Sequence, residues 1–176
     1  MRDAGAFAST TLIGGAGSGT GPDAARVDVL IGRRGGALES AWATALAMPR
    51  PAHRVFVAEL RPGLPVRPPT LFAGTAEIRT ERHEHLSVGP AQAAVAAGVA
   101  RAVEEGLLPA EATGELLLIV AVWVDPAATD ADEVFANHLA ATFEAIAAAV
   151  HGTPTMDEVL AEARHPWNAY YHRHRN

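Results

Sequence analysis

The chain has 176 residues, 49% apolar and 19% charged, with a formal net charge of −6 and no cysteine. That length and balance suit one compact soluble domain, and a negative charge with no basic stripe argues against a nucleic-acid partner. All fourteen basic residues are arginine, so lysine Schiff bases, thiolate nucleophiles, disulfides and thiolate metal sites are excluded.

In chain order, the N-terminus carries Asp3 early and makes a poor signal peptide. Ser9 to Ile13 reads as a short strand, and Gly14 to Gly21 as a loop. The glycines lack the lysine of a phosphate-binding loop, so a connector is the preferred reading. Arg26 to Gly32 alternates and then turns wholly apolar, as a strand entering a core does, with Arg26 and Asp28 sharing a face. Ala37 to Met48 carries Leu38, Trp42, Ala45 and Leu46 at helical spacing. Val55 to Leu60 is the next expected strand, Pro62 to Pro69 a connector, and Thr70 to Arg79 a strand with Thr75 and Glu77 on one face.

Gly89-Pro90 is expected to start the longest helix, since proline tolerates a first turn. Val95, Val99, Val103 and Leu107 give that helix an apolar face, and Gln92 sits in its first turn beside N–H groups open to a polar ligand. Leu116 to Val124 reads as a central buried strand, too short to span a bilayer. Thr129-Asp130 and Thr155 cap two further helices, to about Val150 and Ala163. Strands interleaved with helices predict an α/β fold, a two-layer sandwich with helices on one face of a mixed sheet. One domain over 1–176, with ends of about 1–8 and 168–176 flexible, and a cytoplasmic location with no membrane are expected.

Several polar groups invite a functional reading. His83 and His85 stand two apart without a third ligand at useful spacing, and His172 and His174 alternate with arginines that repel a cation, so no metal site is expected. Asp28 beside Arg26 could orient a ligand amine or simply form an ion pair at a strand rim. Thr75 and Glu77 pose the same choice.

Asp28-Val29-Leu30-Ile31-Gly32, the proline-flanked Pro62 to Pro68, Gly89-Pro90-Ala91-Gln92 and Val103-Glu104-Glu105-Gly106-Leu107-Leu108-Pro109 together resemble the formaldehyde-activating enzyme family. The similarity extends through Ala121 to Val124 and Ala141-Thr142 to His165-Pro166-Trp167. It implies a ribosomal-protein-S5-domain-2-like sandwich, a homopentamer with the pterin bound between adjacent subunits, and condensation of formaldehyde with tetrahydromethanopterin in one-carbon metabolism. It also implies pterin contacts at Asp28, Val57, Thr75, Glu77 and Gln92. The family's proposed general acid, a histidine, falls at Arg26, which cannot shuttle a proton near neutrality. Thr75 replaces a lysine and Glu77 a threonine, so Glu77 or a nearby histidine is a candidate substitute acid. The alternative is a paralogue that binds a pterin-like or one-carbon metabolite as sensor or carrier without turnover.

Overall fold

The computed structural model describes residues 11–48 and 50–166. The expected ends at 1–8 and 168–176, and the histidines at 172 and 174, lie outside these residues. Strands β1 (Leu12–Ser18), β2 (Ala25–Arg33), β3 (Val55–Val57), β6 (Thr70–Gly74) and β7 (Leu116–Trp123) form one sheet in the order β1-β2-β7-β6-β3. The short β4 (Glu59–Arg61) and β5 (Leu64–Pro65) form a separate hairpin. Among the described residues only the β6–β7 pair is parallel, so the sheet is mixed and the molecule an α/β sandwich.

β7 is paired on both sides and almost wholly buried, as its unbroken apolar run requires. On one face of the sheet Val27, Val29 and Ile31 of β2 are fully buried, each such side chain contributing about 1.5–3 kcal/mol. Helix α4 (Ala131–His151) packs across β1 and β2 there, with α3 (Gln92–Glu104) against α4. The two helices meet closely: a Cβ on Gly98 would stand 2.8 Å from the Thr142 Cβ. The remaining long helix, α1 (Ala37–Ala47), lies against the opposite face, where Leu38 packs on Gly32. The expectation of helices on one face therefore holds for α3 and α4 and not for α1, which shields only part of its side. Helix α5 (Met156–Glu162) carries the expected Thr155 cap, closed into a capping box by Glu158, and buries no residue.

Three expectations are corrected. Gly14, Gly15 and Gly17 belong to β1 and not to a loop. Their lack of a side chain serves close approach: a Cβ on Gly14 would collide with the backbone of α4 at Ala145 and Ala149, and one on Gly15 would lie 2.5 Å from Asp28 Oδ1. The strands expected at 55–60 and 70–79 are shorter, the first breaking at Ala58 and the second stopping at Gly74. Ala58 donates its N–H to the Thr70 carbonyl and accepts from Val66 N–H, so the chain turns there into the β4–β5 hairpin.

The third correction concerns the long helix. It begins after Thr80, whose hydroxyl accepts the His83 N–H, as α2 (Glu81–Leu86). A π-helical turn over Ser87–Ala91 holds Pro90 and leads directly into α3. A π turn widens the ring that proline's missing N–H would otherwise break. Gln92 is thus mid-helix and not beside free N–H groups. The whole segment Glu81–Glu104 is 24 residues long and apolar enough to cross a membrane by length and composition, yet half of its apolar window is buried inside the fold.

Two buried histidines grip the end of β7. His83, only 1% exposed, donates Nε2–H to the Val124 carbonyl at 3.0 Å. His138 on α4 reaches the Val134 carbonyl with Nδ1 (2.7 Å) and the Trp123 carbonyl with Nε2 (3.3 Å). Burial holds the His138 imidazole below its ordinary value of 6.5, against the pull of those two carbonyls. The folded state therefore resists protonation that the unfolded chain accepts. Stability should be flat above about pH 6.5 and fall as pH drops below it, by at most about 1.4 kcal/mol per pH unit from this one group. Urea midpoints measured between pH 7.5 and 5 check this; an unchanged midpoint across that range would refute it.

Candidate functional site

The half-open face of the sheet, the one that α1 partly covers, is assembled by register. Asp28 pairs with Ala121, Ala121 with Ala73 and Ala73 with Val55, so these four stand in one row across β2, β7, β6 and β3. One neighbouring row is Leu30, Ile119, Leu71 and Val57. The other begins with Arg26 paired to Trp123 and continues to Thr75, whose N–H (2.8 Å) and hydroxyl (3.0 Å) both donate to the Val122 carbonyl. Two alanines between rows of large side chains leave a trough across the middle of the sheet. Asp28 stands at one end of it.

Four of the six expected site residues, Arg26, Asp28, Val57 and Thr75, therefore share this face. Arg26 and Asp28 form an ion pair at 3.6 Å with side chains 72% and 49% exposed, a contact worth at most about 1 kcal/mol. The Asp28 carboxylate is thus only loosely engaged, and Gly15 leaves its Oδ1 room. The other two residues are placed differently. Gln92 donates Nε2–H to the Glu59 carbonyl at 2.7 Å, so its amide ties α3 to the start of β4, two residues past Val57. Glu77 is exposed and lies three residues beyond the end of β6.

At the far end of the trough α1 and the edge of the sheet enclose a cavity of about 660 Å³, lined in part by Ser40, Thr44, Arg50, His53, Val55 and Thr75. His53 was not singled out from the sequence, although it stands two positions before Val55 and so shares its parity along an extended chain. Among the described residues no group of three His, Cys, Asp or Glu is placed to hold a metal ion.

A carboxylate at one end, a flat floor of small side chains and a partly apolar cavity at the other suit a planar, amine-bearing small molecule. This is the layout of a small-molecule site on an α/β sandwich. A family model described as "Formaldehyde-activating enzyme (Fae)" matches residues 13–171, and the chain belongs to that family. It is 40% identical over 160 residues to a 5,6,7,8-tetrahydromethanopterin hydro-lyase of Methanosarcina barkeri, covering 89% of this chain and 90% of that protein. It is also 37% identical over 162 residues to a bifunctional enzyme Fae/Hps of Methanothrix thermoacetophila, covering 90% of this chain. A bifunctional enzyme Fae/Hps of Methanococcoides burtonii is likewise 37% identical, over 151 residues. The chain spans 41% and 38% of the length of those two bifunctional relatives.

Proposed function

We propose that this chain condenses formaldehyde with tetrahydromethanopterin to the methylene-bridged pterin and water, with the pterin lying in the trough that starts at Asp28. What carries the reading is the row Asp28, Ala121, Ala73 and Val55 in a chain of this family. An amino-pyrimidine edge is a row of N–H donors, and a carboxylate accepts two of them at once. The alanines let the ring lie against the sheet, and Ile119 and Trp123 flank it.

The chemistry has two stages. A secondary amine of the pterin adds to the formaldehyde carbon, giving a hydroxymethyl group. Its hydroxyl must then leave as water, which needs a proton at the departing oxygen, and the second amine closes on the iminium. Holding the pterin removes the entropy cost of arranging these partners. Arg26 stands where the resemblance puts the acid, but its guanidinium keeps its protons and serves to hold Asp28 or an anionic group of the ligand.

The same reading makes the protein a cytoplasmic homopentamer whose cleft is completed by a neighbouring copy. Ile13, which shares the Leu30 row and is 69% exposed, and the unburied α5 support association.

Stopped-flow condensation of formaldehyde with tetrahydromethanopterin tests the reading: the protein should raise the rate above the spontaneous reaction. No acceleration would overturn it, and pterin binding without acceleration would establish the sensor or carrier alternative instead. Arg26→Ala should change kcat by no more than about fivefold, the limit for an exposed ion pair. A hundredfold loss in that variant would show that the guanidinium acts in the chemistry.

A further inference from the structure

Resting on the proposed function above, we propose that His53 donates the proton to the departing hydroxyl when the hydroxymethyl adduct loses water. Three observations place it there. The β3–β6 ladder continues beyond the strands, with the Gly74 N–H donating to the Arg54 carbonyl at 2.8 Å. Since Val55 pairs with Ala73, one more step sets His53 opposite Thr75, in the row that begins with Arg26 and Trp123. Both line the same cavity. Where the resemblance expects a lysine at 75, this chain has a threonine with an imidazole beside it.

The ligand's own layout brings its reacting end to that cavity. In a reduced pterin the amines that trap formaldehyde lie at the opposite end of the bicycle from the amino-pyrimidine edge. With that edge on Asp28, the ring crosses β7 and its reactive end falls over β6, two strand spacings or about 10 Å away. Arg26 remains at the Asp28 end, about 14 Å from His53 across three spacings.

The imidazole is also held in a usable state. Nδ1 lies 2.9 Å from the Pro51 carbonyl and donates to it, which leaves Nε2 to exchange a proton. Its segment is pinned from behind by Arg54, whose Nε donates to Glu84 Oε1 of α2 at 2.8 Å. Of the residues lining the cavity only His53 and Arg50 carry ionisable groups, and the side chains facing them from α1 and β6 include the hydroxyls of Ser40, Thr44 and Thr75. Of the two, imidazole is the side chain that passes protons as a general acid or base; the arginine cannot release its proton.

The step balances without another reactant. The C–O bond of the hydroxymethyl group breaks as Nε2–H passes its proton to that oxygen, and water leaves. The amine lone pair forms the C=N⁺ bond of the iminium. The second amine attacks that carbon and loses its own proton, which returns to Nε2.

The test is the stopped-flow condensation assay on the full chain over a range of pH, with a separate fluorescence titration of tetrahydromethanopterin. His53→Gln should lower kcat by about a hundredfold to ten-thousandfold, the usual worth of a positioned acid, with pterin affinity retained. The fall in kcat as pH rises through the acid's ionisation should vanish with it. Added imidazole should restore part of the rate to His53→Ala, a rescue that a merely structural role would not give. His53→Gln turning over at the unaltered rate would overturn the assignment, as would loss of the same pH limb in Glu77→Gln. No acceleration by the unaltered chain would instead overturn the function on which it rests.

Discussion

Asp28→Asn should weaken tetrahydromethanopterin binding by about tenfold to a hundredfold, the range expected when a charge-assisted hydrogen bond is reduced to a neutral one. A carboxylate accepts at that end of the trough, and its partner Arg26, a donor only, cannot take its place. Stability should hardly change, since an exposed pair contributes at most about 1 kcal/mol. A fluorescence titration with the pterin, read beside a urea unfolding curve, separates the two effects. Unchanged affinity would mean that the pterin does not rest on this carboxylate, and the trough would lose its assigned ligand.

Gly14→Ala should be the most damaging single methyl in the sheet, lowering the unfolding free energy by about 3 kcal/mol, the upper part of the usual cost of overpacking. The new Cβ would run into the Ala145 carbonyl and lie 2.5 Å from the Ala149 amide nitrogen. Both are helix backbone, which yields only if α4 lifts off β1. Gly15→Ala makes an instructive contrast. Its Cβ also comes within 2.5 Å of a neighbour, but that neighbour is Asp28 Oδ1, the end of a side chain that can turn aside. The first variant should move the urea midpoint, while the second should move ligand affinity more than stability. Equal loss of stability in both would refute the distinction.

These two glycines show what the sequence alone could and could not tell. Its glycine run reads as a loop because glycine weakens an isolated strand. The reason for the residues lies elsewhere in the chain: Gly14 answers to Ala145 of α4, 131 positions on, and Gly15 to Asp28, 13 positions on. β7 was legible because nothing but burial on both faces accommodates Leu116 to Val124, and the α4 cap was legible because Asp130 accepts the Asp132 and Glu133 amides within its own turn. That Arg26 and Asp28 share a face is legible from strand alternation, but that Val57 and Thr75 join them there follows from strand pairing that no local pattern encodes. The placement of Glu77 and His53 depends on where strand pairing ends. β6 stops at Gly74, three residues short of Glu77, while the opposite chain stays paired through Arg54, the residue after His53.

The π-helical turn at Ser87–Ala91 is, in angular terms, a correction of phase. His83 and Val95 are separated by twelve positions, and both are buried. Along an uninterrupted α-helix, at about 100° per residue, they would point about 120° apart. A π turn absorbs about one residue, which brings the difference to about 20°. One buried side therefore runs through α2 and α3, with the imidazole that holds Val124 at one end and the valines that meet the core at the other. A helical wheel drawn from Val95 backwards would rotate His83 to the surface, although its imidazole helps secure the end of the central strand.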